Sequence, residues 1–241
     1  MRLIISILSS SLRSSVPLIL AATGGTFSSR SGVSDLGLEG MMLFGAFFGV
    51  YGSYISGNAW VGLLFGAAFG AISAMLHAVM HITYRVNASI SGMCVNLLAT
   101  AATPLLLNSI FHMNGKSEQV TAFSKVNSDA LESIPFIGPI LNSQSVLFYL
   151  TIILVVLGWL FMYKTTAGLR MRMVGENPQA ASTVGLKVNA YKYFGVAMSG
   201  VFAGLGGAYL SLSQMDLFVE NMTNGRGYIA VRNEEMQSFF D

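Results

Sequence analysis

The stretch SVLFYLTIILVVLGWLFMY, residues 145–163, runs for 19 positions without a charged residue. A helix needs about 20 predominantly apolar residues to cross the hydrocarbon core of a bilayer. This stretch therefore predicts a transmembrane helix. The whole chain agrees, because 53% of its 241 residues are hydrophobic, only 10% are charged and the mean hydropathy is +0.62. Soluble domains carry about 25% charged residues, so the composition indicates a polytopic membrane protein.

Five further apolar runs flank this stretch, and each is long enough for one crossing. The N-terminal run is interrupted by Arg13 and several serines, so we interpret it as a retained membrane segment and not as a cleaved signal peptide. We predict an all-α fold, a polytopic transmembrane helical bundle of six to seven membrane segments with a short cytoplasmic helix. The six segments expected are residues 3–23, 37–56, 59–80, 88–112, 145–163 and 190–213.

Small residues recur at four-residue spacing within these segments. That spacing places them on one face of a helix and lets two helix backbones approach closely in lipid. We therefore expect a tightly packed bundle, with contacts through Gly45 and Gly49, Gly66 and Gly70, and Gly200, Gly204 and Ala208.

The charges of the connections orient the bundle. Four basic residues and one acidic residue lie between the fifth and sixth segments, and Lys192 follows at the start of the sixth, whereas residues 113–144 hold two basic and three acidic residues. Connections rich in Lys and Arg stay in the cytoplasm, so the first is predicted inside and the second outside. Arg30 and Arg85 then fall inside as well. The first segment must begin outside, be re-entrant or form a broken half-helix.

The segment TGGTFSSRSGVSDLGLEG, Thr23 to Gly40, is rich in Gly and Ser although it lies between two apolar runs. Non-helical backbone at membrane depth is tolerated only where protein buries it or where it lines a wet cavity. The segment is either a broken helix of the kind that presents polar groups to a transported solute, or an ordinary surface loop.

A polar island, RMRMVGENPQAASTVGLKV, spans Arg170 to Val188. Pro178 with Asn177 before it predicts the start of a short helix, because proline suits the first turn and asparagine caps it. Ala180, Ala181, Val184 and Gly185 are expected along one face. Such a helix in a basic cytoplasmic loop suits docking to a soluble partner, although a plain linker would have the same residues.

Several motifs resemble the permease subunits of bacterial ABC importers in the branched-chain amino acid, ribose and simple-sugar superfamily, nearest the simple-sugar and nucleoside branch. GLRMRMVGENPQAASTVGLKV is the most specific of them. In chain order they are SGVSDLGLEGMMLFGAFFG (31–49), SISGMCVNLLA (89–99), GLRMRMVGENPQAASTVGLKV (168–188), SGVFAGLGGAYL (199–210) and NMTNGRGYIA (221–230).

The resemblance implies a cytoplasmic coupling helix, within residues 170–187, that sits in a cleft of a separate ATP-binding cassette subunit. The partner would use ATP and Mg, and this chain would bind no cofactor. Further implied partners are a second permease subunit in a heterodimer, an extracytoplasmic solute-binding protein and the lipid of a bacterial inner membrane. The residues to which it assigns coupling are Arg170, Arg172, Gly175, Glu176, Asn177, Pro178, Ala181 and Gly185.

Candidates for the substrate pathway are polar or aromatic residues in membrane segments, where ionisable groups are costly. Arg30, Glu39 and Asn96 would supply donors and acceptors, and Phe44 an aromatic face, for a polar neutral solute such as a nucleoside or sugar. The alternative is that Glu39 and Asn96 hydrogen-bond neighbouring helices, and that Phe44 faces the core or the lipid.

The remaining motifs favour no enzyme and no metal site. His77 and His81 could chelate a metal at helical spacing, but too few other histidines exist to complete a site. Cys94 is expected to be a small buried side chain. No catalytic triad or nucleotide-binding loop is present, and a net charge of +2 without a basic tract excludes nucleic-acid binding.

The C-terminal residues VRNEEMQSFFD, 231–241, depart from the family pattern, which continues with about two more spans. We expect a permease domain at residues 1–230, incomplete at its C-terminus, followed by an atypical charged tail. The alternatives to an importer subunit are an ATP-independent secondary transporter or channel-like protein, and a non-functional truncated permease.

Overall fold

A computed structural model describes residues 2–123 and 144–237. Two π-helical turns, Val79–Thr83 and Leu210–Met215, prolong the helices that precede them, and the only pairing of β type in these ranges is an isolated bridge between Lys116 and Val219. The α-helices of the described ranges are α1 Arg2–Arg30, α2 Leu38–Ser56, α3 Ala59–Ala78, α4 Ala88–Phe111, α5 Val146–Lys164, α6 Thr166–Glu176, α7 Pro178–Thr183, α8 Val188–Tyr209 and α9 Arg226–Gln237.

Five of these helices combine the length and apolar character needed to cross a membrane, namely α2, α3, α4, α5 and α8. Helix α1 has 29 residues and also runs the length of the bundle, but its serines, threonines and arginines make it more polar. The predicted all-α, polytopic transmembrane bundle is confirmed. Helices α6 and α7 form the short pair that lies between α5 and α8.

The centre of the bundle is built from α1, α2, α3 and α8, which make the most extensive helix contacts. The predicted glycines meet there: a Cβ added to Gly45 would clash with Gly204, and one added to Gly70 would clash with Gly200. A Cβ added to Gly66 would stand 2.8 Å from Ala208. Close approach of small residues therefore replaces the hydrophobic driving force that helices lack in lipid.

The three basic connections lie at one end of the bundle. Gly175 of α6 touches Arg30 at the end of α1, and the hydroxyls of Tyr193 in α8 and Thr83 before the Arg85 turn are 2.5 Å apart. At the other end, Gln214 donates a hydrogen bond to the Arg13 carbonyl oxygen (2.8 Å). Helix α1 is thus one continuous helix from the end opposite α6 to the end where α6 lies, so the segment is neither re-entrant nor a broken half-helix.

The end of the bundle opposite α6 carries the described part of the long loop, residues 113–123. The hydroxyl of Ser53 at the end of α2 donates to the Thr121 carbonyl oxygen (2.6 Å), and Ser117 N–H donates to the Phe218 carbonyl oxygen (2.9 Å). The rest of the predicted loop, residues 124–143, lies outside the described residues.

The Gly/Ser-rich segment Thr23 to Gly40 divides into three parts, the last of which, residues 38–40, begins α2. Residues 23–30 are helical and complete α1. The prediction of an irregular backbone or a surface loop is therefore wrong for them. Residues 31–37, which we call the central connection, are non-helical and mostly buried, with Ser31, Val33 and Asp35 exposed by no more than 2%. This part is a break within the bundle and not an ordinary surface loop, because protein buries four of its seven residues, although Gly32 and Ser34 are exposed.

The expectation that Cys94 is buried was wrong, since its side chain is exposed on α4. In a membrane helix, an exposed side chain faces lipid or a partner and not water, so a small apolar thiol is tolerated there.

Candidate coupling site and central polar cluster

Helices α6 and α7 form a compact unit whose helix ends are capped by side chains. The Thr165 hydroxyl accepts a hydrogen bond from Gly168 N–H (3.1 Å) at the start of α6. Asn177 ends α6 and begins α7, and its Oδ1 accepts from Ala180 N–H (3.0 Å). Pro178 occupies the first turn of α7, as predicted. Each cap satisfies an amide that the first helical turn leaves without an intrahelical partner.

The C-terminal end of α7 has a Schellman motif. Leu186 N–H donates to the Ala181 carbonyl oxygen (3.1 Å), and Gly185 N–H donates to that of Ser182 (3.0 Å). Gly185 has φ of +82°, a left-handed conformation that costs glycine little. The sequence pattern therefore fixes both ends of this six-residue helix, and the chain leaves it at a set angle towards α8.

The two faces of α7 differ in exposure. Ala181 is fully buried, whereas Val184 is 68% exposed and Ala180 and Gln179 are exposed. The prediction of one shared face for Ala180, Ala181 and Val184 was wrong, because over six residues the inward side of the helix is one residue wide. The exposed side of α7 is formed by Gln179, Ala180 and Val184, while Ala181 supports α7 from inside.

The charged residues assigned to coupling also differ. Arg170 and Glu176 are exposed. The guanidinium of Arg172 lies over the ring of Tyr163 with 4.9 Å between its Cζ and the ring centroid, and its Nε is buried without a hydrogen-bond partner. Arg172 is thus half-buried against its own chain, whereas Arg170 is exposed.

Gly175 joins this unit to the bundle. A Cβ at this position would clash with the Arg30 carbonyl oxygen and come within 3.0 Å of Gly32 N. Gly32 has φ of +81°. Only glycine lets α6 lie directly on the central connection.

The central connection leads into a polar cluster inside the bundle. Ser199 donates to Asp35 Oδ2 (2.6 Å), and Gly37 N–H donates to Asp35 Oδ1 (3.1 Å). Ser199 lies 11 residues into α8, roughly 16 Å along the helix at 1.5 Å per residue. Asp35 is therefore a buried carboxylate well inside the bundle.

Asn96 and Glu39 complete the cluster. Asn96 Oδ1 accepts from Gly40 N–H (2.7 Å), and its Nδ2 donates to the Leu36 carbonyl oxygen (2.8 Å) and the Tyr228 hydroxyl (3.0 Å). Together Asp35, Glu39, Asn96, Ser199, Thr223 and Tyr228 form what we call the central polar cluster.

Glu39 holds the start of α9 against the start of α2. Its Oε1 accepts from the Thr223 hydroxyl (2.6 Å) and Gly225 N–H (2.8 Å), and its Oε2 accepts from Gly227 N–H (2.6 Å). Carboxylates are stabilised at helix N-termini by the free amides and the helix dipole. Two helices thus begin next to each other inside the bundle around a shared carboxylate.

The four residues expected to line a pathway do not form one site. Glu39 and Asn96 use their polar groups within the chain, which supports the alternative that they bond neighbouring helices. Phe44 lines an apolar groove of about 520 Å³ with Phe48 and Phe69, and Arg30 lines a different groove between α1 and α5.

Four members of the central polar cluster were not predicted from the sequence, namely Asp35, Ser199, Thr223 and Tyr228. Asp35 had a usable signal, because an acidic residue between two apolar segments is a functional candidate by the argument applied to Glu39.

The rings of His77 and His81 stack on each other, and the Ser91 hydroxyl lies 3.0 Å from His77 Nδ1. Among the described residues, no group of three or more His, Cys, Asp or Glu could hold a metal ion.

Comparison with known proteins accounts for this architecture. The sequence profile of the branched-chain amino acid transport system permease component matches residues 7–231. The chain belongs to this permease family. It is a multi-pass membrane subunit that is not itself catalytic, and membership implies an ATPase and a solute-binding protein as partners. No solved structure matches it significantly.

Three curated relatives align over most of the chain. The nucleoside ABC transporter permease protein NupC of Lactococcus lactis is 39% identical, over 90% of this chain and 70% of its own length. The guanosine ABC transporter permease protein NupQ of Bacillus subtilis is 38% identical, over 89% and 70%. The putative glucose ABC transporter permease protein TsgC13 of Haloferax volcanii is 35% identical, over 93% and 68%.

Proposed function

We propose that this permease carries a nucleoside or a simple sugar through an ATP-driven importer, and that α6 and α7 receive the force of the ATPase. The substrate class is supported by the names of the three relatives. The observation that carries the coupling proposal is the contact of Gly175 with the central connection. Through that contact, a push on one short helix pair reaches the backbone inside the bundle.

The docking surface is the exposed side of this pair. The ATPase would contact Arg170, Glu176, Asn177 and the exposed face of α7. It is the ATPase that would bind ATP and Mg. Arg172, Gly175, Ala181 and Gly185 would set the shape and position of the surface. Exposed single ion pairs contribute about 0–1 kcal/mol, so shape outweighs charge in this docking.

The central connection is the proposed transmission element. It touches α6 through Gly32, α8 through Asp35 and α4 through the Leu36 carbonyl oxygen. A rigid-body shift of α6 would therefore move the starts of α2 and α9 relative to α4 and α8. Discontinuous helices that meet inside the membrane are a common feature of transport sites.

The assembly would follow the family plan. A second permease subunit would complete a heterodimer, with the solute-binding protein at the end formed by residues 113–123 and the ATPase at the α6–α7 end. Phe44, with Phe48 and Phe69, remains the candidate aromatic face for the solute. We place this permease domain, proposed at residues 1–230, in a bacterial inner membrane.

Cysteine crosslinking to the co-expressed ATPase tests the docking surface. Cys94 is first replaced by serine, and single cysteines are placed at Val184 on α7 and, as a control, at Glu118, which is exposed at the opposite end. We expect a short bifunctional reagent to join Val184→Cys, and not Glu118→Cys, to the ATPase. Capture by neither or by both variants would contradict the proposed docking.

Uptake of labelled solutes tests the transport class. We expect accumulation of nucleosides or simple sugars in cells that express the whole importer, and its loss when ATP is depleted while the ion gradients are clamped. Uptake that survives ATP depletion and stops when the gradients collapse would instead support a secondary transporter.

A further inference from the structure

An open groove runs between α1 and α5 on the outside of the bundle. Its volume is about 400 Å³. One wall is a stripe of α1 from Ile19 to Arg30, and the other is a stripe of α5 from Val155 to Tyr163. Gly158 brings the two helices together at its base, where an added Cβ would lie 3.4 Å from Thr23 Cγ2.

The length of the groove matches one leaflet of a bilayer. Ile19 and Arg30 are 11 residues apart, about 16 Å along a helix at 1.5 Å per residue. Half of the hydrocarbon core of a bilayer is about 15 Å. The Arg30 end lies beside α6, at the basic end of the bundle, so the groove spans the cytoplasmic leaflet.

One cation lines the cytoplasmic end of the groove, and two others lie against its aromatic walls. Arg30 lines it directly, Arg172 lies over the Tyr163 ring at 4.9 Å, and Lys164 Nζ lies 5.8 Å from the centroid of Trp159. Both rings are groove walls. Glu176 is the only acidic residue between positions 144 and 192, so the mouth has a strongly positive surrounding.

The aromatic walls are those expected at a membrane surface. Trp159 is 52% and Tyr163 45% exposed. Such rings concentrate at the level of lipid headgroups, and basic pockets between helices on the cytoplasmic side bind anionic headgroups. We propose that this groove binds one anionic phospholipid of the inner leaflet, with the phosphate at Arg30, Lys164 and Arg172 and an acyl chain along the α1–α5 groove.

The neighbouring groove on the other side of α5 provides an internal comparison. It has about 470 Å³ and is walled by apolar residues that include Leu157, Phe194 and Phe202, with Lys164 as its charged residue. This second groove lacks the guanidinium groups of Arg30 and Arg172. Acyl chains are expected there as well, but with little preference for headgroup charge.

Photo-crosslinking of the purified full chain in nanodiscs tests the proposal. The probes are phosphatidylglycerol and phosphatidylcholine with the same photoreactive acyl chain, and labelled peptides are located by mass spectrometry. We expect phosphatidylglycerol to label residues 19–30 and 155–163 about a hundredfold more than phosphatidylcholine does, since each of the three basic residues near the surface contributes about fivefold. Equal labelling by the two lipids, or no labelling of these stretches, overturns the proposal.

Matched variants separate the headgroup from the chain. Arg172→Gln is expected to bring phosphatidylglycerol labelling down about fivefold, whereas Lys187→Gln, an exposed cation in the same basic segment, leaves it unchanged. Thr26→Leu keeps all charges and narrows the groove, and it is expected to lower labelling by both lipids. Each variant is compared only where its size-exclusion profile matches that of the parent.

Two further arms identify other occupants. Excess inorganic phosphate is expected not to reduce labelling by phosphatidylglycerol. A reduction would show that the groove binds free phosphate and not a lipid, and it would overturn the proposal. Loss of lipid labelling at 19–30 in the assembled importer would show that a protein partner covers the groove, and it would likewise overturn the proposal.

Discussion

The backbone of Gly175 in α6 lies against the backbone of Gly32 in the central connection, where a Cβ built on Gly32 would stand 3.1 Å from Gly175 Cα. Both positions need glycine, Gly175 for lack of space and Gly32 also for its left-handed φ of +81°. Two backbones in direct contact transmit displacement with little loss, since protein interiors are close-packed. This contact connects α6 to the central connection, which leads into the central polar cluster.

Gly175→Val is expected to abolish most transport without blocking membrane insertion. The added methyl groups would force α6 away from Arg30 and Gly32, and overpacking of this kind costs about 1–3 kcal/mol. The measurement is solute uptake by the assembled importer beside its ATPase rate, with the expression of the variant as reference. Ala190→Val, at an exposed site in the first turn of α8, is the control. Uptake at the parental level in Gly175→Val would remove the contact from the coupling route.

Asn177→Ala is expected to weaken the association with the ATPase. The change removes the side-chain acceptor for Ala180 N–H, and loss of such a cap costs about 1 kcal/mol, which a six-residue helix cannot recover elsewhere. Co-purification of the ATPase with the permease measures the effect. Asn177→Asp should restore the cap and the association, and Asn189→Ala, which changes an exposed asparagine of α8, should have no effect. Equal co-purification in all three variants is the contrary result.

The helices and the ends of α7 could be predicted because their signals are local. Apolar length predicts a span, and Asn177, Pro178 and Gly185 act on the nearest turn of backbone. The inward direction of Ala181 and the stacking of Arg172 on Tyr163 depend on where α6 lies relative to α5 and α8, which no local pattern records.

The central polar cluster could not be predicted from the sequence for the same reason. Asp35 and Ser199 are 164 positions apart, and Glu39 meets residues of the 223–227 turn more than 180 positions away. Glu39 and Asn96 were selected as pathway residues because polar groups in membranes are often functional. That rule identifies a polar group that needs partners, but it does not tell whether the partner is a solute or a neighbouring helix.

Ser199→Ala and Asp35→Ala are each expected to lower the stability of the permease in detergent. Either change leaves a buried group without its partner, at a cost of about 1–3 kcal/mol, and the double variant should show a coupling free energy of about 0.5–3 kcal/mol. Thermal unfolding of the parent, the two single variants and the double variant measures these differences in stability. Ser34→Ala, at an exposed serine of the same connection, is the control. Strict additivity would mean that the hydrogen bond between Ser199 and Asp35 contributes nothing.

Glu39→Gln is expected to loosen the start of α9 while leaving α2 in place. The substitution replaces one acceptor oxygen by an amide that donates, so Gly227 N–H, or the pair of Thr223 and Gly225, would face another donor. Each unsatisfied buried amide costs about 1–3 kcal/mol, and the attraction of a carboxylate to a helix N-terminus, about 0.3–1 kcal/mol, is lost too. Hydrogen exchange should therefore rise in residues 223–231 and stay unchanged in residues 40–50. Glu118→Gln, which neutralises an exposed carboxylate at the end of the bundle opposite α6, is the matched control. Unchanged protection at 223–231 would mean that α9 is held by its packing against α1 and not by this carboxylate.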